Sequence, residues 1–172
     1  MIMSSLSFTH VTFRPWQRAF TALSYLVGFG LVAMVLHEFF HFVALYSLGG
    51  EGYITFSMAV GLTHFTQFPD HAWVVAISGG LLTGVFLLVI FWFGAWSNRP
   101  NSNTGMEAAA FVWAIGNLAY APVEVVTSSP AAAAAAFGVG FTLAAAWYFV
   151  RLMDWIALPE LDDPITTAVA QS

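Results

Sequence analysis

Cysteine is absent from this chain, lysine is absent as well, and only 8% of its 172 residues are charged. Each absence excludes something. Without cysteine there is neither a disulfide framework nor a thiolate metal site. Four arginines set against nine acidic residues give a net charge of −5, with no basic patch of the kind that grips nucleic acid. A soluble domain carries about a quarter of its residues charged, so this chain cannot cover a water-facing surface. What is abundant is apolar: 59% of the residues are hydrophobic and the mean hydropathy is +0.79. The composition implies an all-α polytopic protein embedded in a lipid bilayer.

Roughly 20 mainly apolar residues cross a bilayer, and four segments qualify, at about 20–48, 71–96, 106–126 and 131–158. They make one membrane-embedded domain over 1–158, with a short acidic tail at 159–172 that holds Glu160, Asp162 and Asp163. Residues 1–19 lack an apolar core and a small-residue cleavage site, so no cleaved signal peptide is expected; Arg14 and Trp16 read as headgroup anchors. The glycines after Leu48 stop the first span. The stretch Tyr53 to Gln67 alternates, is rich in β-formers and is too short and polar to span. It predicts a β-like hairpin, at the surface or re-entrant, between the first and second spans. Pro69 and Asp70 cap the second span, where Ser78-Gly79-Gly80 and Gly84 give a small-residue face for close helix packing. Ser129 and Pro130 read as the N-cap and first position of the fourth span.

Against this apolar background, His37-Glu38-Phe39-Phe40-His41 stands out inside the first span. Histidines four apart share one helix face, which lets two imidazoles hold one metal ion. The glutamate between them is placed as general base for a water that the metal activates. Ionisable groups in a span are costly and mark function. A hydrolytic zinc needs a third protein ligand. Glu124 fits best, as the acid most nearly central in any other span, with Pro122 able to unwind the helix and aim it. Asp154 is the rival, although Arg151 three residues earlier offers it a simple ion pair. Glu107 opens the third span, where a carboxylate suits a helix N-terminus. Asn117 is a candidate for substrate or ligand hydrogen bonding, and equally for an interhelical bond. His64 lies in the β-like segment, where it approaches the metal, lines the entrance or sits at the interface; His71 and His10 read as interfacial.

These residues resemble the signature of the site-2 protease family of intramembrane zinc metalloproteases. The run from His37 through Leu48-Gly49-Gly50 is similar to its HExxH helix, which ends on a small residue and glycine. Ala76-Ile77-Ser78-Gly79-Gly80 is similar to its small-residue helix, with Gly80 where proline is common. Asn117 through Pro122-Val123-Glu124 resembles its Asn- and Pro-rich stretch, with Glu124 where the family has the aspartate that binds zinc and Val125 in place of a glycine. The resemblance covers about Phe20 to Val126. It implies a Zn2+ cofactor on His37, His41 and Glu124, with Glu38 as the catalytic base. The expected reaction is hydrolysis of a peptide bond in or near a transmembrane segment of a membrane-protein or peptide substrate, the residue 53–67 strand being a docking edge. The alternative is a non-catalytic relative that binds metal or partners without proteolysis. A di-iron lipid-modifying enzyme, the other reading of HxxxH, needs more histidine boxes than five histidines supply.

Orientation divides the two lines of argument. With four spans and the N-terminus inside, Arg14, Arg18, Arg99 and Arg151 all fall on the cytoplasmic side. The resemblance implies a catalytic helix running the other way.

Overall fold

The computed structural model describes residues 15–56, 61–67, 69–96, 104–127 and 129–157, without the Trp96 side chain. The N-terminal lead-in with His10 and Arg14, the loop around Arg99 and the acidic tail lie outside the described residues.

The elements are α1 (Pro15–Ser47), β1 (Glu51–Phe56), β2 (Gly61–Gln67), α2 (Ala72–Trp96), α3 (Thr104–Val126) and α4 (Pro130–Ala157). All four helices are long and apolar enough to cross a membrane. Their outer faces carry large apolar side chains in the open, among them Leu31, Phe93, Leu143 and Trp147. Such faces are tolerable where lipid, not water, is the solvent.

Helix ends follow local chemistry. Pro15 opens α1, where its missing N–H costs nothing. Gly49 takes φ +76°, and the chain closes with Gly50 N–H to Leu45 O at 2.9 Å and Gly49 N–H to Tyr46 O at 3.1 Å. That pair of bonds is a Schellman stop, which needs the left-handed conformation glycine adopts freely. Ahead of α4, Ser129 Oγ accepts from Ala132 N–H at 3.4 Å, so Ser129 and Pro130 start the helix as their sequence order predicts.

In lipid, helices associate by close van der Waals contact and polar bonds, since burial from water no longer drives them together. α3 is the axis of this packing. It touches α1, α2 and α4, and its buried positions are mostly Ala and Gly. From α2, a Cβ on Gly80 would lie 2.8 Å from Asn117 O, and one on Gly84 3.0 Å from Ala114 O. From α4, a Cβ on Gly140 would meet Ala119 Cβ at 2.6 Å. Backbones approach this closely only without side chains between them. α1 and α4 touch each other lightly, while α1 packs more fully on α2 and α3.

The 53–67 stretch is an antiparallel hairpin lying against α1, with Tyr53 opposite His64 and Ile54 opposite Thr63. Three sequence expectations are corrected. α3 runs unbroken through Pro122 to Val126, so no unwinding aims Glu124. Arg151 lies over the Tyr148 ring, 5.6 Å from its centroid, and makes no ion pair with Asp154. Glu107 is in the first turn of α3 but does more than face a helix end: it is buried between helices and accepts from Tyr148 OH at 3.1 Å. Its neighbourhood is set by α4 packing, which no local pattern reveals.

Candidate metal centre

His37 and His41 stand one turn apart near the C-terminal end of α1, and Glu124 reaches them from α3. The three ligand atoms lie within 4.8 Å of one another. His41 Nε2 is 3.0 Å from His37 Nε2 and 3.2 Å from Glu124 Oε1; His37 Nε2 is 3.7 Å from Glu124 Oε2. Glu124 is brought here by helix periodicity alone. Asn117, Tyr120 and Glu124 fall at i, i+3 and i+7, one stripe of α3.

The hydrogen bonds around the ring nitrogens settle their tautomers. His41 Nδ1–H donates to Val75 O at 2.6 Å, an acceptor only. Asn117 Nδ2 donates to Trp113 O at 2.9 Å, which turns Oδ1 toward His37 and makes His37 Nδ1–H the donor across 3.2 Å. In the neutral rings both Nε2 atoms then carry lone pairs, and they point at each other and at a carboxylate. In that state three acceptors converge on one point. Glu124 Oε2 is in addition a buried oxygen without a hydrogen-bond partner.

Charge tells the same story. Glu38 is 8% exposed, and both it and Glu124 lie close enough to act on His41 and Tyr120, so two carboxylates border one partly buried site. The described arginines are far away: Arg18 is 19 residues from His37 on one helix, about 28 Å at 1.5 Å per residue, and it donates to Trp155 O at that same end. A divalent cation is the natural counter-charge.

Zinc is the ion the motif resemblance implies, and the donors fit it. Ligands 2.0–2.1 Å from a tetrahedral zinc stand about 3.3–3.4 Å apart, and the observed separations of 3.0, 3.2 and 3.7 Å straddle that value. Each histidine already donates its other N–H to an oxygen, the arrangement that orients metal-bound imidazoles.

Glu38 turns toward the hairpin. Thr63 Oγ1 donates to its Oε2 at 2.7 Å, and Gly61 lies over its Cγ, where any Cβ would collide. On the far side, Gly79 of α2 lies under the His41 ring with the same intolerance. A cavity of about 530 Å³ opens beside His37 and Glu38, walled by Leu31, Trp113, Tyr120 and Phe137.

Two sequence candidates fall away. His64 does not approach the site: it pairs with Thr55 Oγ1 at 2.8 Å and stacks on Tyr53. Neighbours along a strand point to opposite faces, so Thr63 faces Glu38 and His64 faces away. Asp154 is exposed on α4 beside Trp155, at the Arg18 end. Thr63, Tyr120, Gly79 and the Val75 carbonyl escaped the sequence reading. The i+3 spacing of Tyr120 from Asn117 was a usable signal for one of them; the others depend on tertiary contacts.

Comparison of the chain with protein-family models, with curated proteins and with solved structures finds no match.

Proposed function

We propose that this chain is an intramembrane zinc peptidase that hydrolyses a peptide bond in or near a transmembrane segment of a membrane-protein substrate. The observation that carries the reading is the convergence of His37 Nε2, His41 Nε2 and Glu124 on one point, with the Glu38 carboxylate lining the same cavity as His37. Zinc held there supplies Lewis-acid polarisation of a carbonyl and lowers the pKa of water toward neutrality. Glu38 accepts the proton of the attacking water while the water oxygen bonds to the carbonyl carbon. The same carboxyl then delivers that proton to the amide nitrogen as the C–N bond breaks, leaving a carboxylic acid and an amine.

The cavity wall of Val27, Leu31 and Phe137 suits an apolar chain, and 530 Å³ lies within the usual range of substrate pockets. The hairpin contributes a strand edge for an unwound substrate backbone.

The test is Glu38→Gln in the purified full chain. Metal content near one per chain should persist while cleavage of membrane-peptide substrates is lost. A variant that still cleaves refutes the mechanism. A wild-type chain that holds metal and cleaves nothing supports instead a metal-bearing subunit without proteolysis.

A further inference from the structure

A zinc peptidase has to stabilise the negative charge that develops on the carbonyl oxygen during water attack, and hydrogen-bond donors aimed at that oxygen are worth a large part of the rate. Resting on the peptidase reading above, we propose that Tyr120 is a catalytic residue whose phenolic hydroxyl donates to that oxyanion.

Few side chains of the cavity can donate to such an oxygen. Its lining includes five polar side chains: His37, Glu38, Trp113, Asn117 and Tyr120. His37 is a ligand candidate with its Nδ1–H given to Asn117, and ionised Glu38 has no hydrogen to donate. Trp113 Nε1–H is committed to Leu26 O at 2.8 Å. Asn117 gives one Nδ2 hydrogen to Trp113 O and its Oδ1 to His37, which fixes its amide toward the two helices. Tyr120 brings the hydroxyl donor of the lining, and it faces the Glu124 carboxylate and not a backbone carbonyl. Its ring meets His37 edge-on at 5.1 Å and 82°, and its hydroxyl is a hydrogen-bonding neighbour of the Glu124 carboxylate. The hydroxyl therefore borders the point where the ligand atoms converge, on the cavity side where a substrate carbonyl must arrive. The ring is held by the edge-to-face contact, so the donor is positioned before substrate binds.

A competing role is that Tyr120 merely orients Glu124. The two roles separate without any known substrate. The full-length chain, loaded with Co2+ in detergent, gives a visible spectrum of the metal site, and binding of acetohydroxamate shifts that spectrum. Acetohydroxamate presents an anionic oxygen to the metal and to any nearby donor. Tyr120→Phe deletes one oxygen atom and keeps the ring contact with His37. The variant should retain one cobalt per chain with the unliganded spectrum of the wild type, and should bind acetohydroxamate at least about tenfold more weakly, the cost of one hydrogen bond to a charged group. On a cleavable membrane peptide its kcat should fall about 10²-fold or more. Unchanged acetohydroxamate affinity overturns the inference. So does loss of cobalt from the variant, which would make Tyr120 a positioning residue for Glu124. Failure of the wild-type chain to take up cobalt is a distinct result: it refutes the peptidase reading itself.

Discussion

Gly79→Ala should weaken metal binding even though the same exchange in a helix ordinarily stabilises. Alanine is about 1 kcal/mol better than glycine in a helix interior. At position 79 the added methyl would lie 2.7 Å from His41 Cδ2 and closer still to Nε2 and Cε1. Carbon atoms rest at about 3.5–4.0 Å, so the ring must retreat by about 1 Å. It cannot do so and keep the 2.6 Å bond from Nδ1 to Val75 O, because Val75 lies one turn earlier on the same helix as Gly79. Losing an orienting partner of this kind costs 10- to 100-fold in metal affinity, or about 1.4–2.7 kcal/mol. Zinc affinity by chelator competition reads the effect, with helix content by circular dichroism as the check on folding. Gly28→Ala and Gly138→Ala are the internal controls, since nothing lies within 4 Å of a Cβ at either site. They should gain about 0.5–1 kcal/mol of stability and leave zinc affinity alone. If Gly79→Ala binds zinc within twofold of the wild type, the close contact between α2 and the His41 ring does not exist as described.

Two further outcomes probe the partners of the ligands and of the base. Asn117→Ala leaves His37 Nδ1–H without its acceptor and should lower zinc affinity about 10- to 100-fold, whereas Asn117→Asp keeps an oxygen there and should recover most of it; equal losses in both would mean Asn117 acts only as packing. Thr63→Val removes the hydroxyl that donates to Glu38 and should lower peptide hydrolysis about tenfold with zinc content unchanged, the expected worth of a hydrogen bond to a carboxylate; unaltered turnover would show that the hairpin does not hold the base.

Much of the fold was legible because long apolar runs simplify the code. Four long apolar runs with turn residues between them define three helices to within two residues, while α1 starts at Pro15, five residues earlier than its apolar run, because Pro15 opens the helix within the more polar lead-in. The hairpin was legible from period-two alternation between glycine-rich breaks. In the site, His37 and His41 followed from one helical spacing, and Glu124 from being an acid stranded in a span. That His64 does not reach the metal could not be read locally, because its face depends on strand register, which is fixed by how the hairpin lies on α1. Glu107 was placed correctly in the first turn of α3 but its partner was not legible: Tyr148, 41 residues away, comes to it only through α4 packing. The small residues of α2 and α3 announced close contact but not its object. That Gly79 fits beneath an imidazole while Gly80 fits beneath a backbone carbonyl is tertiary information.

The stripe of α3 that carries Asn117 and Glu124 faces α1 where the two histidines stand, so the ligands of one ion would come from two helices. An ion held there is an interhelical rivet, and its binding energy counts toward folding. At a free concentration 1,000 times its dissociation constant it adds about 4 kcal/mol to the native state, a large fraction of the stability of a small domain. Metal supply would then set how many copies of the chain survive cellular quality control.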